Sequence, residues 1–313
     1  MKIVVAGGTG FLGRPLCETL ATDGHAVVVL TRSASRASSS LSSLPRTAAI
    51  SAVDWSPDGR VGAWASVVDG ADAVVNLTGE SIGARRWSKA QKARIRDSRM
   101  LATRSVVAAI KAAPRPPTVL INASAIGYYG DQGAEQLTET SKPGSGFLAD
   151  LCVEWEGEAT RAATDSTRVT LIRNGLVLER GRGGVLDRML LPFKLFAGGP
   201  VGSGRQYMSW IHRTDWINLV RWALADSSAP SGPLNGTAPA PATNAEFSKA
   251  LGHALGRPSW LPAPAFALRL ALGEMADELL LNGQRVLPSR PLELGFQFKF
   301  PKIDHALGEI FQD

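Results

Sequence analysis

Glycines at positions 7, 10 and 13 punctuate the segment Ala6-Gly7-Gly8-Thr9-Gly10-Phe11-Leu12-Gly13, which follows the β-branched run Ile3-Val4-Val5 and opens an amphipathic pattern at Phe11, Leu12, Leu16 and Leu20. Each glycine has a separate task in such a segment. The first permits a tight turn, the next lets the backbone approach a pyrophosphate, and the last lets the helix pack on the strand. The helix N-terminus adds N–H donors and partial positive charge. Gly7, Thr9, Gly10, Phe11, Leu12 and Gly13 are therefore expected to hold a dinucleotide, against the alternative of a glycine-rich turn with no ligand.

A second chemical signal lies at the end of the next apolar run, which reads Leu30-Thr31-Arg32-Ser33. A cofactor without a 2′-phosphate usually meets an Asp or Glu here. Thr31, Arg32 and Ser33, with Arg36 nearby, would instead accommodate a 2′-phosphate through charge-assisted guanidinium contacts, so NADP(H) is expected in preference to NAD(H). Solvated loop arginines are the alternative. Asp54 is placed for the adenine amino group. Asn76, Leu77, Thr78 and Gly79 are placed along the cofactor, because ligands bind off the carboxyl ends of parallel strands. A turn-capping role for the Asp and the Asn remains the other reading.

These groups need a scaffold that brings strand ends together. Ile3–Ala6 and Val27–Leu30, with a helical pattern between them, form a β-α-β unit. Further short apolar strands are expected at 48–53, 73–77, 118–122 and 169–172, each apolar on both faces as in a covered parallel sheet. Helices are expected over 89–111, ended by Pro114, Pro116 and Pro117, and over 145–163. Six strands alternating with helices predict an α/β fold with a Rossmann-type doubly wound parallel sheet and a smaller C-terminal substrate lobe. Residues 1–180 would form the nucleotide-binding domain, with 205–234 returning to it; 181–204 and 235–313 would form the smaller lobe. A short strand and helix are expected over 210–224, and another helix starts at Thr243 with Asn244 and Glu246 in its first turn. The serine-rich run Ser33–Ser43 reads as a flexible loop beside the cofactor.

Composition narrows the class. The 313 residues, 44% hydrophobic and 20% charged, describe an ordinary globular chain. The excess of 34 basic over 28 acidic residues is arginine spread along the whole length. It suits a phosphate-bearing cofactor or substrate, and no nucleic-acid partner is expected, since no basic stripe is interleaved with aromatics. No signal-peptide core or membrane span is legible, so a cytoplasmic protein with no membrane partner is expected. Cys17 and Cys152 read as buried free thiols in helices, and no metal site is expected.

Beyond the glycine segment, the blocks Asn76-Leu77-Thr78-Gly79-Glu80, Arg86-Trp87, Ser98-Arg99, Ser124-Ala125-Ile126-Gly127-Tyr128-Tyr129-Gly130, Trp155-Glu156, Gly202-Ser203-Gly204-Arg205-Gln206, Ser209-Trp210-Ile211-His212 and Arg285-Val286-Leu287-Pro288 occur in order. With them the chain resembles, end to end, the atypical and extended short-chain dehydrogenase/reductases, in the sugar-nucleotide epimerase-like branch with a C-terminal domain of unknown function. The resemblance implies an oxidoreductase or epimerase using a catalytic Ser, and a Tyr and Lys four residues apart on the following helix. Ser124 stands at the expected place. The helix start reads Gly146-Phe147-Leu148-Ala149-Asp150-Leu151, so Phe147 and Leu151 stand near the Tyr and Lys positions.

Replacement chemistry must then come from elsewhere. Tyr128 and Tyr129 are candidate phenols, against a packing role. Glu80 and Glu139 are candidate acids or bases, against ordinary solvation. Glu80, Arg205 and His212 are candidate substrate contacts, with a lobe-tying salt bridge and a structural histidine as the respective alternatives for the last two. Two functional classes follow. One is an NADP(H)-dependent oxidoreductase or epimerase acting on a small, phosphate-bearing or nucleotide-linked substrate; the other is a non-catalytic NADP(H)-binding sensor or interaction protein.

Overall fold

The protein, a computed structural model, is described over residues 1–41, 49–181, 183–225 and 231–312. Its elements in chain order are β1 (Lys2–Ala6), α1 (Gly13–Thr22), β2 (Ala26–Thr31), α2 (Ala34–Leu41), β3 (Ile50–Asp54), β4 (Ala73–Asn76), α3 (Lys89–Ala112), β5 (Val119–Ala125), α4 (Phe147–Thr160), β6 (Arg168–Asn174), α5 (Val185–Lys194), α6 (Arg213–Ala225), β7 (Gly232–Gly236), α7 (Asn244–Ala254), α8 (Ala265–Leu272) and α9 (Ile303–Phe311). Strands β1 to β7 form one parallel sheet in the order β7-β6-β5-β4-β1-β2-β3. The order reverses between β1 and β4, and a doubly wound sheet opens its ligand crevice at the carboxyl ends of such a pair.

Alternate residues of a strand point to opposite faces, and here both faces are apolar. Ile3 and Val5 join a core with Leu16 and Leu20 of α1 and Trp216, Leu219 and Val220 of α6. Val4 and Ala6 join another with Ala102, Val106 and Ile110 of α3. A further core, built from Leu186, Leu190 and Phe193 of α5, Phe247 and Leu251 of α7, Phe300, and Leu307 and Ile310 of α9, holds the smaller C-terminal lobe together with Leu178 and Trp210. Among the described residues no helix is long and apolar enough to cross a membrane.

Three local expectations change. The sheet has a seventh strand, β7, written Gly-Pro-Leu-Asn-Gly, a sequence of poor strand propensity. It forms because the β6 edge pairs with it from Gly232↔Thr170 to Gly236↔Asn174 and buries Leu234 completely, and Pro233 is tolerated on an edge strand. The start of the serine-rich run is helix α2 rather than loop. Asp54 Oδ1 accepts the Ala34 N–H at 2.7 Å, satisfying an otherwise unpaired donor of its first turn. Ser42, Ser43 and Ala48 lie outside the described residues. Finally, β5 runs on to Ala125, so Ser124 lies within the strand, in register with Arg173 of β6.

Candidate functional site

The turn after β1 is shaped by glycines, of which Gly7, by its backbone angle, and Gly13, by its close packing, leave least room for a side chain. Gly7 has φ +82°, and a Cβ there would lie 3.1 Å from the Leu77 carbonyl carbon. A Cβ on Gly13 would lie 2.2 Å from the Gly7 carbonyl oxygen, and one on Gly10 would lie 3.3 Å from the same atom. Thr9 and Gly10 are exposed, Phe11 and Leu12 half-buried, and α1 has neither a side-chain cap nor an acidic residue in its first turn. The result is a backbone cradle at an uncapped helix N-terminus, which suits an anion.

At the end of β2, Thr31 accepts the Trp55 N–H through its carbonyl at 2.7 Å, and Ser33 Oγ lies 3.3 Å from Ser35 Oγ. Arg32 is exposed, and its guanidinium makes no hydrogen bond or ion pair among the described residues. Asp54, also exposed, is occupied by the Ala34 N–H. After β4, Asn76 is fully buried. Its Nδ2 donates to Thr103 and Asn122, and its Oδ1 accepts from the Thr78 backbone and hydroxyl. Asn76 thus shapes the turn that presents Leu77, Thr78 and exposed Gly79. Beneath Gly79 lies Arg99, whose Cζ would sit 3.1 Å from an added Cβ, and which donates to the carbonyls of Glu80 and Ile95 while stacking 5.1 Å over Trp155.

The β5 end carries a buried polar network. Ser124 Oγ donates to Glu156 Oε1 at 2.6 Å, and Arg173 grips both Glu156 oxygens at 2.8 Å each. Arg173 Nη1 also donates to the Tyr129 hydroxyl at 2.9 Å, and that hydroxyl donates to Asn235 Oδ1 at 2.7 Å. Burial, opposed by Arg173, pushes the Tyr129 phenol up to about 12. Burial works against the charge on Arg173, but its hydrogen bonds to Glu156 and Tyr129 and the charges of those two groups together outweigh it and hold its pKa above the ordinary arginine value. Ser124 and Tyr129, 2% and 0% exposed, are committed to this network. Tyr128 differs: half-buried, with Arg173 stacked 3.5 Å from its ring centroid, its hydroxyl makes no hydrogen bond among the described residues. Glu139, raised in pKa by burial, accepts the backbone N–H groups of Asn235 and Arg290 and belongs to the framework.

The remaining candidates separate. Glu80 Oε1 accepts from Gln91 Nε2 at 2.8 Å, tying it to α3. His212 is buried against Phe300 with ring centroids 4.0 Å apart; its Nδ1 accepts the Thr214 N–H and its Nε2 lies 3.0 Å from Glu309. Both nitrogens are therefore engaged within the protein. Arg205 is exposed on the loop after Gly204, with no side-chain partner among the described residues.

Sequence reading passed over Arg173, Lys92 and Glu278. Arg173 had a usable signal, a charge inside an apolar strand that demands a buried partner. The other two had none, because they meet only through folding. Lys92 of α3 pairs with Glu274 in the C-terminal lobe at 2.5 Å and sits 5.0 Å over the Phe147 ring. Phe147 in turn meets Trp87 edge-on at 5.1 Å. Arg188 of α5 donates to the Gly83 carbonyl. A cavity of about 230 Å³ opens beside the α4 N-terminus, walled by Gly127, Gly130, Ser145, Gly146, Leu148 and Glu278 among others.

Comparison with known proteins gives the family of the chain. Residues 3–235 match the NAD dependent epimerase/dehydratase family. The chain belongs to that family. Residues 263–310 match a domain of unknown function, DUF1731. The epimerase family protein SDR39U1 homolog, chloroplastic, of Arabidopsis thaliana is 45% identical over 314 residues, covering 100% of this chain and 87% of the relative. The crystal structure of human epimerase family protein SDR39U1 (isoform 2) with NADPH matches at 36% identity and a TM-score of 0.87 over 99% of both chains. A UDP-glucuronic acid 4-epimerase from Bacillus cereus, crystallised with UDP-glucuronic acid and NAD, matches at TM-score 0.78 over 99% of this chain and 98% of its own. At 16% identity that likeness shows the fold alone.

Proposed function

We propose that this epimerase-family chain binds NADP(H) and catalyses oxidoreduction, or an epimerisation run through it, on a small or nucleotide-linked substrate. One observation carries the cofactor choice: the unpaired, exposed guanidinium of Arg32 at the end of β2, beside a glycine cradle that admits no side chain. A 2′-phosphate gives that guanidinium an anionic partner, whereas a 2′-hydroxyl offers only a neutral acceptor. The NADPH held by the human relative supports the same reading.

In this reading Gly7 to Gly13 hold the pyrophosphate, Thr31, Arg32 and Ser33 the 2′-phosphate, Asp54 the adenine edge, and Asn76 to Gly79 the nicotinamide half. When bound, NADPH supplies a hydride; the chain's residues orient the substrate and move the proton. Ser124 and Tyr129 keep the β5 end rigid through Glu156 and Arg173, while the Tyr128 hydroxyl makes no hydrogen bond among the described residues. Arg205 contacts an anionic substrate group, while His212 is structural. Residues 1–180 with 205–234 form the cofactor domain, and 181–204 with 235–313 form the substrate lobe. A cytosolic location goes with this assignment.

The test is fluorescence titration with NADPH and NADH, followed by a screen of carbonyl compounds and sugar nucleotides for NADPH oxidation. Equal affinity for the two cofactors overturns the Arg32 assignment. A second reading, a cofactor-binding protein without catalysis, is favoured by Phe147 and Leu151 near the Tyr and Lys positions. Tight NADPH binding with no turnover across the screen supports it.

A further inference from the structure

Phe147 cannot move a proton, yet both of its chain neighbours touch a group that can. The Leu148 N–H faces the Glu278 carboxylate and favours its charged form, and a Cβ on Gly146 would lie 2.7 Å from Glu278 Oε1. Glu278 therefore brackets the helix start at which the superfamily carries its tyrosine, although it comes from the C-terminal lobe. It is carried by a single π-helical turn, Asp277–Leu281, a form that recurs at functional sites. Its side chain forms part of the wall of the 230 Å³ cavity, with Asp131, Asn282 and Gln284 as further polar lining. That volume is below the roughly 300–1,000 Å³ of drug-sized ligand sites, so it suits the reacting end of a ligand.

We propose that the carboxyl group of Glu278 is the proton donor and acceptor of this cleft, acting on a carbonyl or secondary-alcohol substrate in place of the missing phenol. The inference rests on the NADP(H) reading above. In the reductive direction the substrate carbon gains a hydride from NADPH, which becomes NADP⁺. The substrate oxygen takes the Glu278 proton as the C–O double bond becomes single, and the carboxylate left behind is reprotonated from solvent. In the oxidative direction each transfer reverses.

The surroundings suit a carboxyl that exchanges its proton. Burial raises the pKa of Glu278 above the ordinary value, and Glu274 and Asp150 add to the rise, while Lys92 and the Leu148 N–H oppose it. Asp131 lines the same cavity. Lys92 thus stands where it can favour the carboxylate after proton release, a part the superfamily gives to a lysine on α4. The Gly146 position explains itself in the same way: φ +105° disfavours any side chain, and a Cβ there would push on Glu278 Oε1, 2.7 Å away.

The deciding experiment is carbon-13 NMR of the full chain with carboxyl-labelled glutamate, the Glu278 resonance being assigned by its loss in Glu278→Gln. Its titration is followed without cofactor, with NADPH and with NADP⁺. A carboxyl facing the nicotinamide responds to the positive charge of the oxidised ring, so its apparent pKa should fall by roughly half a unit or more with NADP⁺ relative to NADPH. If NADPH binds and the titration is indifferent to the ring's charge, the cofactor reading stands and the role of Glu278 is overturned. If NADPH does not bind the wild-type chain, the cofactor reading fails and takes this proposal with it. Should Glu278→Gln not fold, Glu278→Asp supplies the assignment by loss of the same resonance.

Discussion

Ser124 donates its hydroxyl hydrogen to Glu156 Oε1 at 2.6 Å, and the same oxygen accepts Arg173 Nε–H at 2.8 Å. The serine at the carboxyl end of β5 is thus one member of a buried ion-pair network that also fixes Tyr129. Removing Arg173 strands the Glu156 charge, whereas removing the Ser124 hydroxyl leaves the ion pair whole. Arg173→Leu is expected to destabilise the fold by about 3–5 kcal/mol, and Ser124→Ala by about 1–2 kcal/mol. Urea unfolding of both variants checks the ranking, and equal losses would mean that Glu156 is not paired as described.

Arg32 should set cofactor preference. Arg32→Asp removes a charge-assisted contact to a 2′-phosphate and places a carboxylate where ribose hydroxyls would lie. Affinity for NADPH should fall roughly ten- to a hundred-fold while that for NADH holds or rises. Fluorescence titration reads both. A variant that loses both cofactors equally would show that Arg32 supports the loop and does not read the phosphate.

Two glycine-to-alanine changes should act in opposite directions. At Gly13 the new Cβ would meet the Gly7 carbonyl oxygen at 2.2 Å, a backbone atom that cannot swing aside. Gly13→Ala should cost at least about 1–3 kcal/mol and weaken NADPH binding with it. At Gly157, exposed in α4, a Cβ meets nothing within 4 Å. Gly157→Ala should stabilise by about 0.5–1 kcal/mol by removing chain entropy from the helix interior. Thermal unfolding with and without NADPH distinguishes the two, and stabilisation by Gly13→Ala would contradict the packing of α1 on β1.

His212 should contribute to acid sensitivity. Burial lowers its pKa, against the pull of Glu309, so the folded state favours the neutral ring. The unfolded chain takes up the proton near pH ~6.5. The stabilisation is therefore present above that pH and is lost as pH falls through the lower folded value. Urea midpoints measured from pH 7.5 down to 5 should show this loss in the wild type and a flatter profile in His212→Asn. Parallel profiles would assign the acid limb to other groups.

The local sequence carried most of the fold and the cofactor half of the candidate site. Strand, glycine turn and helix follow one another within a few residues from Lys2 to Thr22, so period and glycine spacing suffice to read them. The N-cap at Thr243 was legible for the same reason, since Thr243 and Glu246 form a capping box three residues apart. Arg32 lies one residue beyond β2 and needs no distant partner to be recognised.

Tertiary structure decided the rest, wherever a residue's state depends on a partner far along the chain. Gly232–Gly236 is a strand only because β6 offers an edge. Asp54 caps α2 across 20 residues, and Ser124 donates to Glu156, 32 residues away. Lys92 meets Glu274 across 182 residues, and Glu278 reaches the helix start at Gly146 from the other lobe. Such pairs leave no periodicity, because burial and hydrogen bonding between distant segments exist only after the chain has closed. The proposed proton-transfer group belongs to this second class, and a sequence that lacks Tyr and Lys at the usual spacing gives no local sign of where their replacements come from.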